Sequence, residues 1–234
     1  ICRARDAGFD MCHFNLHKSF SSPHGCMGPC CGAQGVKEEL AQYLPKPRVK
    51  FDGEKYYWDY DSKTSIGKVR KFYGVVATVL RAYAWVMAMG AEGLREVADT
   101  AIINNNYLMK KMLTNVKGIS APWQEGEFRM EQVRYSWEKC KEDTGVGTED
   151  IERRAGDYGL QSYFLSHHPW LIAEPMTPEP TEAYSKADLD EYAAIFEKIS
   201  EEAYSDPELV KNAPYKTAIS KVSHPGIDDP NDLI

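Results

Sequence analysis

Two apolar stretches at helical spacing, meeting at one glycine, constrain this chain more than any other feature. Ile66, Val69, Phe72, Tyr73, Val76, Val79, Leu80, Tyr83 and Val86 recur three and four residues apart, as on the buried faces of a helix. Gly90 follows where a helix C-cap is expected, because glycine takes the positive φ that ends a helix without a Cβ penalty. A second helix is predicted over roughly 91–113, with Leu94, Val97, Ala98, Ala101, Ile102, Asn105, Leu108 and Met112 on one face.

Shorter elements surround this pair. Residues 9–16 alternate partly between apolar and polar and read as a short strand. Residues 21–35, rich in Gly, Pro, Ser and Cys, read as a loop, and Lys37–Tyr43 as a short helix or turn. Tyr43–Lys63 reads as irregular with one hairpin, its Tyr56, Tyr57, Trp58 and Tyr60 expected in core packing. Residues 119–137 suggest a strand or two. Thr148 is expected to cap a helix running to about Tyr158, and 160–173 reads as strand. Pro175, Pro178 and Pro180 mark a loop, Ala187–Tyr204 an amphipathic helix, and the last 30 residues an extended tail. The result is a mixed α/β chain with a boundary near 113–120, hence an expected division into residues 1–115 and 116–234.

Composition excludes several classes. A net charge of −7 gives no basic field for nucleic acid, so no nucleic-acid partner is expected. The longest apolar stretch, Val75–Met89, is broken by Thr78 and Arg81, so no membrane span is expected. Five of the six cysteines (Cys2, Cys12, Cys26, Cys30, Cys31) crowd the start and Cys140 stands alone, unlike a secreted disulfide scaffold; a reducing, cytoplasmic setting is expected. The first residues, Ile1-Cys2-Arg3-Ala4-Arg5-Asp6, contain neither an apolar signal region nor an initiator Met, so a fragment, a processed subunit or an incomplete gene product is expected.

The chemistry centres on Asn15-Leu16-His17-Lys18-Ser19-Phe20, followed by Pro23-His24-Gly25. A strand end running into a polar turn suits a lysine that holds pyridoxal 5'-phosphate (PLP) as a Schiff base, with backbone N–H groups and short polar side chains near the phosphate. His-Lys-Ser alone is common, and a surface lysine is the ordinary reading of it.

The surrounding sequence is more specific. Asp10-Met11-Cys12-His13-Phe14-Asn15-Leu16-His17-Lys18-Ser19-Phe20 resembles the PLP-lysine segment of the glycine-cleavage P-protein (glycine decarboxylase), in its second subunit or C-terminal half. Ser65-Ile66-Gly67-Lys68-Val69-Arg70-Lys71-Phe72-Tyr73-Gly74, Arg81-Ala82-Tyr83-Ala84-Trp85 and Met89-Gly90-Ala91-Glu92-Gly93-Leu94 continue the resemblance in order. Asp157-Tyr158-Gly159, Glu179-Pro180-Thr181-Glu182 and Asn212-Ala213-Pro214-Tyr215 extend it over nearly the whole chain. The resemblance implies the C-terminal part of a fold type I PLP enzyme: the end of the large domain, then a small α+β domain. It implies Lys18 as the catalytic, cofactor-bearing lysine, with His17, Asn15 and Ser19 beside the cofactor. It implies decarboxylation of glycine and transfer of the aminomethyl group to the lipoyl arm of a carrier H-protein. The family's pyridinium-pairing aspartate and ring-stacking histidine lie upstream of this segment, so a missing N-terminal half or a partner subunit is expected to supply them; Asp10 matches a different family position.

Three departures bear on specificity. The family's glycine run becomes His24-Gly25-Cys26-Met27-Gly28-Pro29-Cys30-Cys31-Gly32, which replaces small residues by larger ones beside the lysine. Gln161-Ser162-Tyr163-Phe164 replaces the family's His-Ala-Pro-Thr, and Val75 stands for Asn. These keep open a diverged lyase or decarboxylase acting on another small amino acid, or a non-catalytic subunit. His24, Cys26, Cys30 and Cys31 lack the spacing of a metal site, so none is assigned, and a redox disulfide among the three cysteines stays open. His167-His168 is read as structural, and Lys68, Arg70 and Lys71 as a solvated face or a surface for an acidic carrier.

Overall fold

Alternation near the start produces β1 (Met11–Asn15), which pairs antiparallel with β2 (Gly32–Val36) in a register running from Met11↔Val36 to Asn15↔Gly32. The structure, a computed structural model, describes residues 3–22, 31–71, 73–123, 128–130, 132–160, 166 and 171–218. The chain divides into two units, Ile1–Arg95 and Glu96–Ile234.

In the first unit a short helix, α1 (Glu38–Ala41), follows the β1–β2 hairpin. The expected second hairpin is β3 (Arg48–Phe51) with β4 (Tyr56–Asp59). Its turn is built by Asp52-Gly53: Asp52 Oδ1 accepts the N–H groups of Glu54 and Lys55 at 2.9 and 3.0 Å, and Gly53 takes a φ of 108°. The aromatics there are not core. Tyr56, Tyr57, Trp58 and Tyr60 are 42–75% exposed, because no second layer among the described residues of this unit covers the hairpin.

Helix α2 (Val76–Asn115) contains the second predicted helix and the later part of the first, and breaks at Gly90, whose φ of 63° and ψ of −174° are not helical. Its start corrects the sequence reading. Ile66–Gly74 is not helical: Gly67 and Gly74 have φ of 93° and 83°, and Ile66 N–H and Gly67 C=O pair with Tyr43 and Lys46. Phe72 lies outside the described residues. Gly32–Gly35, read as the end of a loop, is strand with Val36, because its backbone completes the ladder with β1.

The second unit holds the apolar core. Beyond α2 come β5 (Tyr135–Ser136), α3 (Glu138–Thr144), α4 (Thr148–Asp157), β6 (Pro175–Met176), α5 (Lys186–Ser205) and α6 (Pro207–Lys211). Met112, Val133, Tyr135, Trp137, Ile151, Ile199 and Val210 are 0–1% exposed, and the Trp137 and Phe196 ring centroids are 6.1 Å apart. Asn104 Nδ2 donates to the carbonyls of Thr181 and Tyr184, at 2.8 and 2.9 Å, tying the start of α5 to α2. A capping box opens α5: Ser185 N–H donates to Asp188 Oδ2 at 2.8 Å and Asp188 N–H to Ser185 Oγ at 3.2 Å.

Thr148 is not the cap expected. Gly147 precedes α4, its N–H donating to Asp150 Oδ2 at 3.1 Å, while the Thr148 hydroxyl reaches across to the Pro175 carbonyl at 3.1 Å. The tail is not wholly extended, because Asp206 and Pro207 start α6. Most of the strand read at 160–173 lies outside the described residues, and Leu171–Ala173 is not strand.

Candidate active-site segment

The β1–β2 ladder runs one residue past its last strand pair, through Leu16 N–H to Cys31 C=O at 2.9 Å. The chain then closes a turn, with Lys18 N–H donating to the Asn15 carbonyl at 3.2 Å. Asn15, His17, Lys18 and Ser19 therefore occupy one turn at a strand end. Opposite the strand end, the His13 ring lies over Gly32, where a Cβ would sit 2.2 Å from His13 Cε1 and displace the ring.

Three contacts hold the turn. Phe20 packs edge-on between Phe14 and Trp85, with centroids 5.9 and 6.0 Å away. The buried Ser22 hydroxyl donates to the Thr78 carbonyl in the first turn of α2 at 2.8 Å. Cys31 is buried with its sulfur against Gly74, where a Cβ would approach to 2.8 Å. Ser22 and Cys31 thus fix the lysine turn, and the Gly74 of the Ser65–Gly74 motif makes room for Cys31. Sequence reasoning assigned neither role, since each depends on contacts more than forty residues away in the chain.

The candidate side chains divide. His17 Nδ1 lies 3.2 Å from the Cys31 carbonyl, and Asn15 Oδ1 lies 2.7 Å from His13 Nε2. Lys18 and Ser19 are exposed, and the Lys18 side chain has no hydrogen bond or ion pair among the described residues. Asp10 pairs with Lys37, whose ammonium is pushed to higher pKa first by that hydrogen bond and then by the carboxylate charge. The loop residues His24, Gly25, Cys26, Met27, Gly28, Pro29 and Cys30 fall outside the described residues, as do Gln161-Ser162-Tyr163-Phe164 and His167-His168-Pro169-Trp170. Among the described residues, no group of three His, Cys, Asp or Glu side chains could hold a metal, and no helix is long and apolar enough to cross a membrane. Lys68, Arg70 and Lys71 are exposed.

The described residues of the unit carrying the turn form no core. Among its described residues the buried apolar side chains are Cys31, Pro47 and Ala82. Helix α2 presents Val76, Leu80, Tyr83 and Met87, 60–66% exposed, on the side away from buried Thr78 and Ala82. A helix apolar on both sides is built to be covered on both.

Known proteins share this architecture. The sequence model of the family "Glycine dehydrogenase, C-terminal domain" matches residues 97–218. A probable glycine dehydrogenase (decarboxylating) subunit 2 of Pyrococcus abyssi is 46% identical over 222 residues, covering 94% of this chain and 43% of that protein. The protein of the same name from Fervidobacterium nodosum is 44% identical over 220 residues, covering 94% and 45%. The crystal structure of an inhibitor-bound glycine decarboxylase (P-protein) of the glycine cleavage system superposes with a TM-score of 0.69 at 18% identity, over 85% of this chain and 45% of that one. The mixed helix–strand architecture is that of the C-terminal part of a fold type I PLP enzyme. The chain belongs to the glycine dehydrogenase C-terminal domain family, and it spans less than half the length of the curated relatives named above.

Proposed function

We propose that this chain carries the PLP lysine, Lys18, of a glycine-cleaving decarboxylase. The observation that carries this reading is Lys18 held in a fixed turn at the end of β1, in a chain similar over 94% of its length to a probable glycine dehydrogenase (decarboxylating) subunit 2. The related proteins are named as decarboxylating glycine dehydrogenases, and the superposed structure as a glycine decarboxylase of the glycine cleavage system.

The turn suits the cofactor. The Lys18 side chain makes no hydrogen bond or ion pair among the described residues, so its amine is free to condense with an aldehyde. The Ser19 hydroxyl and the backbone N–H groups of Ser19 and Phe20 have no acceptor among those residues, and the Asn15 amide nitrogen likewise, so all four are available to a phosphate. His17, tethered to the Cys31 carbonyl, stiffens the turn beside them. Bound PLP supplies an electron sink for the pair left when a substrate carboxylate departs as CO₂. Lys18 anchors the cofactor and moves a proton at Nζ; Asn15, His17 and Ser19 fix where it sits.

Residues 1–115 are proposed as the end of the large domain and 116–234 as the small one, in a cytoplasmic enzyme. The bare apolar stripe of α2 supports completion of the site by a further segment or partner subunit, and the relatives' name, subunit 2, fits that reading. Glycine is the proposed substrate and a lipoylated H-protein the acceptor of the aminomethyl group. The test is exchange of labelled bicarbonate into the glycine carboxyl by the assembled protein. Exchange dependent on the lipoyl carrier and reduced to background in Lys18→Ala is expected. Exchange that survives Lys18→Ala, or activity confined to other amino acids, contradicts the reading.

A further inference from the structure

The unit Glu96–Ile234 contains a cavity of about 630 Å³ that the proposed chemistry at Lys18 does not use. Its volume lies within the roughly 300–1,000 Å³ range of small-molecule sites. Leu108, Ala155, Met176, Leu189 and Phe196 supply its apolar surface. Four carboxylates line it as well: Glu152 from α4, Glu179 from the loop after β6, and Asp188 and Glu191 from α5. Among the described residues, no Lys, Arg or His lines it.

The charge balance is one-sided. The carboxylates of Glu152, Glu179 and Glu191 have no hydrogen-bond or ion-pair partner among the described residues. The neighbouring arginines are engaged elsewhere, Arg153 with Asp150 and Arg154 with Glu202 and Asp157. The positive end of α5 amounts to only about half a charge, and Asp188 already answers it through the capping box. The three uncommitted carboxylates beside an apolar wall disfavour an anion and leave a neutral apolar ligand without use for them. Tyr184 and Tyr192 add aromatic rings, whose faces attract cations.

We propose that this cavity binds a small organic ammonium, a primary amine on an apolar body, with the body against Leu108, Met176 and Phe196 and the ammonium among Glu152, Glu179 and Glu191. This goes beyond the reading of Lys18, and its test does not depend on PLP or on turnover.

The test is calorimetric titration of the 234-residue chain with n-hexylamine, n-hexanol and hexanoate, which share a body and differ in charge. Saturable binding of hexylamine is expected, at least about tenfold tighter than either analogue and weakened by added salt. Glu152→Gln with Glu191→Gln should weaken hexylamine by about tenfold and leave hexanol unchanged, while Glu197→Gln, the same charge change on α5 outside the lining, should have no effect. If the double variant fails to fold by circular dichroism, the salt dependence on the unmodified chain decides. Equal binding of hexanol, salt-independent binding, no saturable binding, or equal weakening by Glu197→Gln overturns the proposal.

Discussion

Asp157 holds Tyr215 by its backbone: Asp157 Oδ1 accepts the Tyr215 N–H at 2.6 Å and the Lys216 N–H at 2.7 Å. Its other oxygen accepts from Arg154 Nη1 at 3.0 Å, and Arg154 reaches Glu202 through Nε and Nη2 at 2.8 and 3.0 Å. The Tyr158 hydroxyl donates to Glu202 Oε1 at 2.6 Å. Two motifs far apart in sequence, Asp157-Tyr158-Gly159 and Asn212-Ala213-Pro214-Tyr215, are thus joined by one buried carboxylate, which binds the chain after α6 to the end of α4.

Replacing Asp157 by Ala leaves two backbone donors and part of a guanidinium unanswered in a site of low exposure. A loss of about 3 kcal/mol in unfolding free energy is expected, within the range for breaking a buried charged network. Denaturant titration followed by tryptophan fluorescence measures it. Limited proteolysis should also cut the variant near Tyr215 faster than the parent chain.

The same network sets an acid limit. Burial pushes the Asp157 carboxyl up, but the N–H groups of Lys216 and Tyr215 and the Arg154 guanidinium outweigh it and hold it below the usual carboxylate range. For Glu202 burial likewise pushes up, and Arg154 and Tyr158 outweigh it. Both groups bind protons more weakly folded than unfolded, so their stabilisation is complete above the unfolded pKa of about 4 and is lost as pH falls through the folded values. Unfolding free energy should be flat from about pH 7 to 5 and fall steeply below about 4, with a shallower fall in Asp157→Ala. Equal slopes in the two proteins would remove the network as the cause.

Two glycines with similar backbone angles should respond differently to alanine. Gly118 has φ +78°, and a Cβ there would meet Tyr204 Oη at 2.6 Å and Cys140 Cβ at 3.0 Å; Gly159 has φ +86° with nothing within 4 Å. Gly159→Ala should cost about 1 kcal/mol, the backbone penalty alone. Gly118→Ala adds overpacking in the core and should cost about 3 kcal/mol or more. Thermal unfolding of both variants checks the difference.

Local patterns made much of this fold legible. The alternation of Met11–Asn15, the Asp52-Gly53 turn, the break at Gly90 and the face of α5 are each written in a few adjacent residues. The elements that were misread depend on distant partners. Ile66–Gly74 has helical spacing but pairs its backbone with Tyr43 and Lys46. Thr148 has the chemistry of a cap, yet its hydroxyl serves Pro175. Helix α3 has no side-chain cap and only one buried residue, Cys140, so no periodic stripe announces it. The aromatics of β4 have the composition of a core, yet they stay exposed, with only the Tyr73 ring packed on Trp58. At the candidate site the motif was legible from Asn15 to Phe20, whereas the roles of Ser22 and Cys31 required the fold.

Borohydride reduction tests most directly whether Lys18 is the residue to which the cofactor attaches. The assembled protein, loaded with PLP, is reduced and digested, and the modified lysine is identified by peptide mass spectrometry. The expected result is a single modification on Lys18, absent in Lys18→Arg while the fold is retained. Modification of another lysine, such as Lys68 or Lys71, with Lys18 untouched would contradict the assignment.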